Sequence, residues 1–217
     1  MKKPDFARAH ASFLAPLALS AALALLAGCA APLPRAPERP DSYDLGLPTP
    51  ASPSATQRPA LALAPVTAPA TLDGPAMLYR LTYKGEADQP RPYARARWSM
   101  TPPELLDQRL REALAASRAV VGPGEGLAAL ELRVHLDDFS QIFESEKQSQ
   151  ARVQLRATLI APQASPRLLG QRTFTVQRPA DTPDAAGGAR AMTAATDTAI
   201  ADLTAWLDTL APPASRK

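Results

Sequence analysis

The sequence predicts an α+β fold: a two-layer domain in which two helices pack on an antiparallel or mixed sheet of four to six strands. Three observations carry this. Apolar residues alternate with polar ones in short runs between Leu61 and Trp98 and again between Ala129 and Gln177, the period of strands with one face in a core. Two stretches, one opening at Thr101 and one running to Leu210, switch to a period near 3.6, as amphipathic helices do. Strands grouped in runs, with the helices set apart, suit a segregated two-layer arrangement.

The opening residues read as an address rather than as structure. Lys2, Lys3 and Arg8 make a positive start, and Ala11 to Ala27 is almost wholly Ala, Leu, Phe and Ser, ending at Ala27-Gly28. That layout is a secretory signal peptide, too short for a membrane span. The junction Leu26-Ala27-Gly28-Cys29 holds the single cysteine of the chain and resembles the lipobox of bacterial lipoproteins, where the thiol is acylated and the leader is cut in front of it. Acyl chains at about 0.8 kcal/mol per buried CH₂ would hold the protein on a bilayer. The thiol is consumed in that step, so disulfide and thiol chemistry are excluded. Ala30 after the Cys, by resemblance to enterobacterial sorting, directs the protein to the outer membrane, facing the periplasm.

Removal of residues 1–28 leaves 21 of the 24 Lys and Arg and 20 of the 21 Asp and Glu, a net of +1. The basic balance of the whole chain thus owes much to its leader, and no nucleic-acid partner is expected. Eight prolines fall between Ala30 and Pro59, a composition for a tether that would reach on the order of 90 Å if extended. One island, Ser42-Tyr43-Asp44-Leu45-Gly46, carries an aromatic and a Leu two apart, as a short strand would.

Within the domain, Leu61, Leu63 and Val66 form a first strand, closed by Pro69 and the Asp73-Gly74-Pro75 turn. Met77, Tyr79, Leu81 and Tyr83 share one side of a second, and Tyr93 to Trp98 form a third across a polar loop from Lys84 to Pro92. Thr101-Pro102-Pro103-Glu104 supplies an N-cap, a proline at the first helical position and a Glu at N3, a capping box. Leu106, Leu110, Ala113 and Leu114 then make the stripe of a helix reaching about Ser117, with Leu105 at its edge. After a glycine-rich turn at 122–126 come strands over Ala129–Phe139, Arg152–Ala161 and Leu169–Gln177, with Leu130, Leu132, Val134, Leu136 and Val153, Leu155, Ala157, Leu159 inward. A last helix from Gly188 or Ala189 to Leu210 buries Met192, Thr196, Ala199, Leu203, Trp206 and Leu210, and Pro212-Pro213 stop it. Gly187-Gly188 read as a turn. The organisation expected is a signal peptide over 1–28, a lipidated Cys and tether over 29–59, a periplasmic domain over 60–211 and a tail over 212–217.

Catalytic chemistry finds little support. His135 is the single histidine beyond the leader and shares the polar side of its strand with Arg133 and Asp137, a poor position for a general base. One His and no thiol do not make a zinc site, Asp137-Asp138 and Glu144-Ser145-Glu146 lack the spacing of a Ca²⁺ loop, and no phosphate-binding or nucleophile-elbow motif occurs. No catalytic residue, metal or cofactor is therefore assigned. Arg91, Arg95 and Arg97 with Tyr93 and Trp98 are candidates for contact with lipid headgroups or an acidic partner, against the plainer account of a strand with one core face and one Arg-bearing face.

The chain resembles the ABC-type transport auxiliary lipoproteins. The likeness runs in order through Ser42-Tyr43-Asp44-Leu45, Leu61-Ala62-Leu63-Ala64-Pro65-Val66, Thr71-Leu72-Asp73-Gly74-Pro75, Tyr79-Arg80, Tyr93-Ala94-Arg95-Ala96-Arg97-Trp98, Pro103-Glu104-Leu105-Leu106 and Ala205-Trp206-Leu207. It departs at the Ala- and Pro-rich stretch from Pro48 to Pro59. The resemblance implies a non-enzymatic subunit found with MCE-type lipid transport systems such as the paraquat-inducible Pqi complex. Its implied partners are an MCE-domain protein, ABC transporter subunits and the membrane through the lipid anchor, with phospholipid contact and homo-oligomers left open. An assembly lipoprotein of another envelope complex and a periplasmic hydrolase using His135 are the competing expectations.

Overall fold

The computed structural model describes residues 39–47, 58–162 and 165–210. The leader, Cys29 and the tail lie outside them. The architecture is α+β, with a mixed sheet of eight strands rather than four to six. In chain order these are β1 (Asp41–Tyr43), β2 (Leu61–Leu63), β3 (Ala76–Leu81), β4 (Glu86–Trp98), helix α1 (Pro102–Ala115), β5 (Val120–Val121), β6 (Glu131–Phe143), β7 (Ser149–Ala161), β8 (Arg167–Pro179) and helix α2 (Ala185–Leu210).

Strand β6 organises the sheet. Along one edge it pairs antiparallel with β7, which pairs antiparallel with β8. Its other edge is shared by two parallel neighbours: β2 beside Glu131 and Leu132, and β3 beside Ser140 to Phe143. β3 continues into β4 and β1, and β2 into β5.

The additional strands have physical reasons to escape a periodicity search. β5 is two residues long, a single repeat of the strand alternation, and β1, three residues long, covers only the first part of the island expected at Ser42 to Gly46. The expected polar loop from Lys84 to Pro92 is mostly the start of β4. Its Pro92 pairs with Leu78 and its Arg91 with Tyr79, while β1 covers the other edge only beside Ala96 to Trp98. Prolines are tolerated where a strand has such an open edge. Tyr83, expected on β3, sits in a 3₁₀ turn over Thr82–Lys84 and is exposed.

The register of β6 changes at its middle. Leu132, Val134 and Leu136 are buried, as expected, but a bulge between Leu136 and Asp138 inserts one residue and inverts the alternation. Beyond it the odd residues Phe139, Gln141 and Phe143 face the core. On β7, Val153, Leu155, Ala157 and Leu159 are fully buried.

Both helices cover the same face of the sheet. At the start of α1 the Glu104 carboxylate accepts the Thr101 N–H at 2.9 Å and the Thr101 hydroxyl at 2.7 Å; these bonds hold its pKa below the ordinary glutamate value. Leu105, Leu106, Leu110 and Leu114 are buried beneath it. α2 lies along β7 and β8 and touches α1, burying Met192, Ala195, Thr196, Ala199, Leu203 and Leu207, with Trp206 and Leu210 half-buried at the margin.

Gly187 and Gly188 are in the first turn of α2, not in a separate turn, because the helix there runs against other groups. A Cβ on Gly188 would collide with the side-chain amide of Gln141, and one on Gly187 with the Thr182 carbonyl. Gly188→Ala is therefore expected to cost about 1–3 kcal/mol. Combined with Gln141→Ala, which removes the obstacle, it should cost clearly less than the sum of the two single changes. Chemical denaturation of the four proteins in that cycle measures the coupling, and strict additivity would show that the two residues do not meet.

Candidate functional site

Two polar constructions lie inside the fold. The first surrounds Gln141, which is wholly buried. Its Oε1 accepts the Tyr93 hydroxyl at 2.9 Å, and its Nε2 donates to Ser149 Oγ at 2.8 Å and to the Asp184 carbonyl at 3.2 Å. Burial, then the neighbouring Tyr79 and Asp184, push the Tyr93 hydroxyl far above the usual tyrosine range, so it stays a neutral donor. Tyr79 packs on Tyr93 with centroids 4.8 Å apart and on Phe143 at 5.9 Å. Asp184 caps α2 by accepting the Gly187 N–H at 2.7 Å. That bond, with the one from Thr182, lowers its pKa. All groups of this cluster are satisfied by one another, which makes it a lock between β4, β6, β7 and α2 rather than a reactive centre.

The second joins the two helices. Arg109, on α1, grips Asp197, on α2, through Nε at 2.8 Å and Nη2 at 2.9 Å, and donates Nη1 to the Gly46 carbonyl at 3.3 Å. The hydrogen bonds to Asp197 raise the Arg109 pKa further. Gly46 takes φ +65°, where its N–H donates to Asp44 Oδ1 at 2.7 Å. The segment Tyr43–Leu47 thus forms a strap: β1 pairs with β4, Leu45 is buried among the core side chains, and Leu47 is 94% exposed. At the other end of the helices, Asp208 accepts a hydrogen bond from Arg118 at 2.8 Å and forms an ion pair with Arg58 at 2.6 Å. Burial outweighs the nearby Asp208 and lowers the Arg118 pKa.

Shallow grooves flank the strap. One of about 480 Å³ lies toward α2 beside Ala186, Ala189 and Thr193. One of about 370 Å³ lies toward α1 beside Leu105, Gln108 and Glu112. A third, about 480 Å³, runs between Val66, Met100 and the outer side of α1.

The five residues singled out from the sequence do not share one surface. Trp98 is 1% exposed and packs on Phe139 at 5.2 Å. Tyr93 belongs to the Gln141 lock. Arg91 pairs with Glu86 at 2.7 Å. Arg95 and Arg97 are exposed, with the buried Ala96 between them. The arrangement is close to a strand with a core face and an Arg-bearing face.

His135 lies on the sheet face away from the helices, on the same side of β6 as Arg133. Its Nδ1 is 2.9 Å from Thr67 Oγ1 and its Nε2 is 3.6 Å from Asp137 Oδ1. A hydroxyl, an imidazole and a carboxylate in line resemble a hydrolytic triad. Here, however, Asp137 also pairs with Arg156 at 3.2 Å, and none of the described pockets is lined by Thr67, His135 or Asp137. The trio ties the isolated bridge between Thr67 and His135 to the sheet. Among the described residues, no three His, Cys, Asp or Glu are placed to hold a metal.

Arg109, Asp197 and Gln141 were not legible as site residues in the sequence. Arg109 and Asp197 are 88 positions apart, and Tyr93 and Gln141 are 48 apart. No local spacing could announce such pairs. A polar residue in the phase of a buried stripe, as Arg109 is beside Leu106 and Leu110, was the one signal available.

Comparison with known proteins decides the family. The family model for the ABC-type transport auxiliary lipoprotein component matches residues 43–205. The chain belongs to this family. Among solved structures, a DUF330-family protein of Xanthomonas campestris is similar over 76% of this chain and 92% of its own, at 21% identity and a TM-score of 0.63. A protein described as uncharacterized is similar over 78% of this chain and 99% of its own, at 14% identity and a TM-score of 0.61. At these identities the likeness is one of fold. No curated protein matches the sequence. The auxiliary lipoprotein fold here thus comprises the strap, the split sheet and the helix pair as one unit. Arg109→Ala is expected to cost about 1–2 kcal/mol, discounted because Asp197 is partly open to water, and to speed protease cleavage around Gly46 and Leu47. Unchanged cleavage would show that Leu45 alone holds the strap.

Proposed function

We propose that this auxiliary lipoprotein is a lipid-anchored, non-enzymatic adaptor of an ABC- and MCE-type lipid transport system, docking the conduit at the outer membrane from the periplasmic side. Family membership is the observation that carries the reading. The Leu26-Ala27-Gly28-Cys29 junction after a charged and apolar leader supports acylation of Cys29, and Ala30 supports sorting to the outer membrane. Among the described residues no helix is long and apolar enough to cross a membrane, so on this reading Cys29 is the attachment. The partners are an MCE-domain protein and the ABC subunits behind it, and the protein acts by holding them. Exposed Arg95 and Arg97 are the part of the Arg–aromatic group that remains suited to contact with phospholipid or an acidic surface.

Affinity isolation of the full chain from its native membranes is expected to recover an MCE-domain protein. Cys29→Ser should move the protein from the membrane to the soluble envelope fraction and reduce that recovery. Recovery of the subunits of an assembly or secretion complex instead would favour the competing reading, and retention of the Cys29→Ser protein on membranes would overturn the anchor.

His135→Ala discriminates the hydrolase. The change is expected to cost no more than about 0.5 kcal/mol at this partly exposed site and to leave partner recovery unaltered. Loss of a hydrolytic activity present in the parent protein would overturn the non-enzymatic role.

A further inference from the structure

We infer that the outer edge of β8 is a strand-addition site for an extended acidic segment of a partner protein. Among the described residues β8 pairs with β7 alone. From Gly170 to Pro179 its ladder with β7 runs without a register shift, so the opposite edge offers an unbroken row of backbone N–H and C=O groups. Exposed rows of this kind are templates for another strand.

The side chains specify what that strand must carry. Arg172, Phe174, Val176 and Arg178 share the helix-facing side. Phe174 stacks edge-on against Trp206 of α2 at 5.9 Å, Arg172 lies over the Phe174 ring at 5.2 Å, and Arg178 donates to Thr198 Oγ1 at 2.9 Å. Gln171, Thr173, Thr175 and Gln177 occupy the other side and are exposed. β8 holds three arginines, Arg167, Arg172 and Arg178, and no acidic residue. None of the three forms a carboxylate ion pair among the described residues, in contrast to Arg109, Arg118 and Arg156. A strand laid against this edge therefore has the exposed Arg172 and Arg178 beside it, with Phe174 and Val176, largely covered by α2, at the alternate positions between them. Its complement is acid-x-apolar-x-apolar-x-acid, and because the order is symmetric it suits either strand direction.

The same pattern disfavours a second copy of this chain. The antiparallel self-pairing that sets Phe174 opposite Val176 also sets Arg172 opposite Arg178 twice, and like charges directly opposite each other are destabilising. The arginines thus disfavour self-pairing in that register while leaving the edge open to an acidic strand, so the two effects together favour the acidic partner. The inference does not rest on the adaptor role: it assigns a surface and a chemistry whatever complex the partner belongs to.

The test uses the full chain in detergent and a fluorescent nine-residue peptide, Thr-Glu-Thr-Val-Thr-Val-Thr-Glu-Thr, titrated by anisotropy. The acidic peptide is expected to bind about tenfold or more tightly than its counterpart with Lys in place of both Glu. Arg172→Glu combined with Arg178→Glu should invert that preference. Arg172→Gln with Arg178→Gln, a milder pair, should abolish it. N-methylation of alternate peptide residues should abolish binding in at least one of the two phases, since it removes the ladder donors. Equal binding of both peptides, no binding, or binding that survives methylation in both phases would overturn the proposal. So would protection of the β8 edge amides from hydrogen exchange in the free chain, which would assign the edge to a segment of the protein itself. Self-association competed away by the acidic peptide would assign it to a second copy, and likewise overturn the proposal.

Discussion

The fold depends on how β6 divides its edge. A strand of 13 residues paired along its whole length with β7 leaves one other edge, and two separate pieces of chain, β2 and β3, take a half each. Both run parallel to β6, so each must be connected by chain that leaves the sheet and returns. α1 belongs to the connection between β4 and β5, and it comes to lie over the half of the sheet that β2 and β5 occupy. The bulge beside Asp137 lies between the two halves. By inverting the alternation it lets Leu132, Val134 and Leu136 face the core in one half while Phe139 meets Trp98 in the other. Without that extra residue, one half of β6 would turn its apolar side chains to water.

Some of the polar groups admitted to this core join elements far apart in sequence, while others, such as Thr196 bonding back to the Met192 carbonyl, serve only their own element. Gln141 lies in the second half of β6 and is bonded to Tyr93 of β4, Ser149 of β7 and the backbone at the start of α2. Arg109 ties α1 to α2 and to the strap. Each of these polar side chains connects elements distant in sequence that apolar contact alone would leave free to slide. A buried amide with its bonds satisfied costs little, and a displaced one costs its full desolvation, so the network penalises wrong registers more than it stabilises the right one.

What the sequence disclosed follows from how local each signal is. The capping box at Thr101 to Glu104, the alternation of Val153 to Leu159 and the stripe of α2 each reside within a few residues, and each stands where it was expected. The Tyr43 and Leu45 island was legible as a strand because two apolar residues suffice to mark it in so polar a setting. The first half of β4 was hidden by its prolines, β5 by its brevity, and the bulge in β6 by the fact that Asp137-Asp138 reads as an ordinary strand end. Gly187-Gly188 misled because glycine marks both turns and close approach, and the tertiary neighbour Gln141 decides between them. The candidate site divided for a similar reason. Arg91 to Trp98 are adjacent in sequence, but a strand sends neighbours to opposite faces, and an irregular register between β3 and β4 then turns Tyr93 to the core side with Ala96 and Trp98 while Arg95 and Arg97 stay exposed.

These placements constrain how an auxiliary lipoprotein of this shape can bind. The helix-facing side of the sheet is filled by α1 and α2, and the strap seals the seam between the helices. Among the described residues, the surfaces left include the polar sheet face, the shallow grooves beside the strap and beside α1, and the edge of β8. None of these supplies the deep apolar cavity that high affinity for a small ligand requires. A lipid anchor changes what is needed of them. If Cys29 is acylated as proposed and the partner shares that membrane, the second contact forms at an effective concentration set by the reach of the tether. On the proposed reading, a strand edge with two arginines, weak in dilute solution, would then suffice, and its weakness would let a partner be engaged and released without unfolding either protein. The anchor and the edge are on this view parts of one design, with the first supplying proximity and the second selectivity.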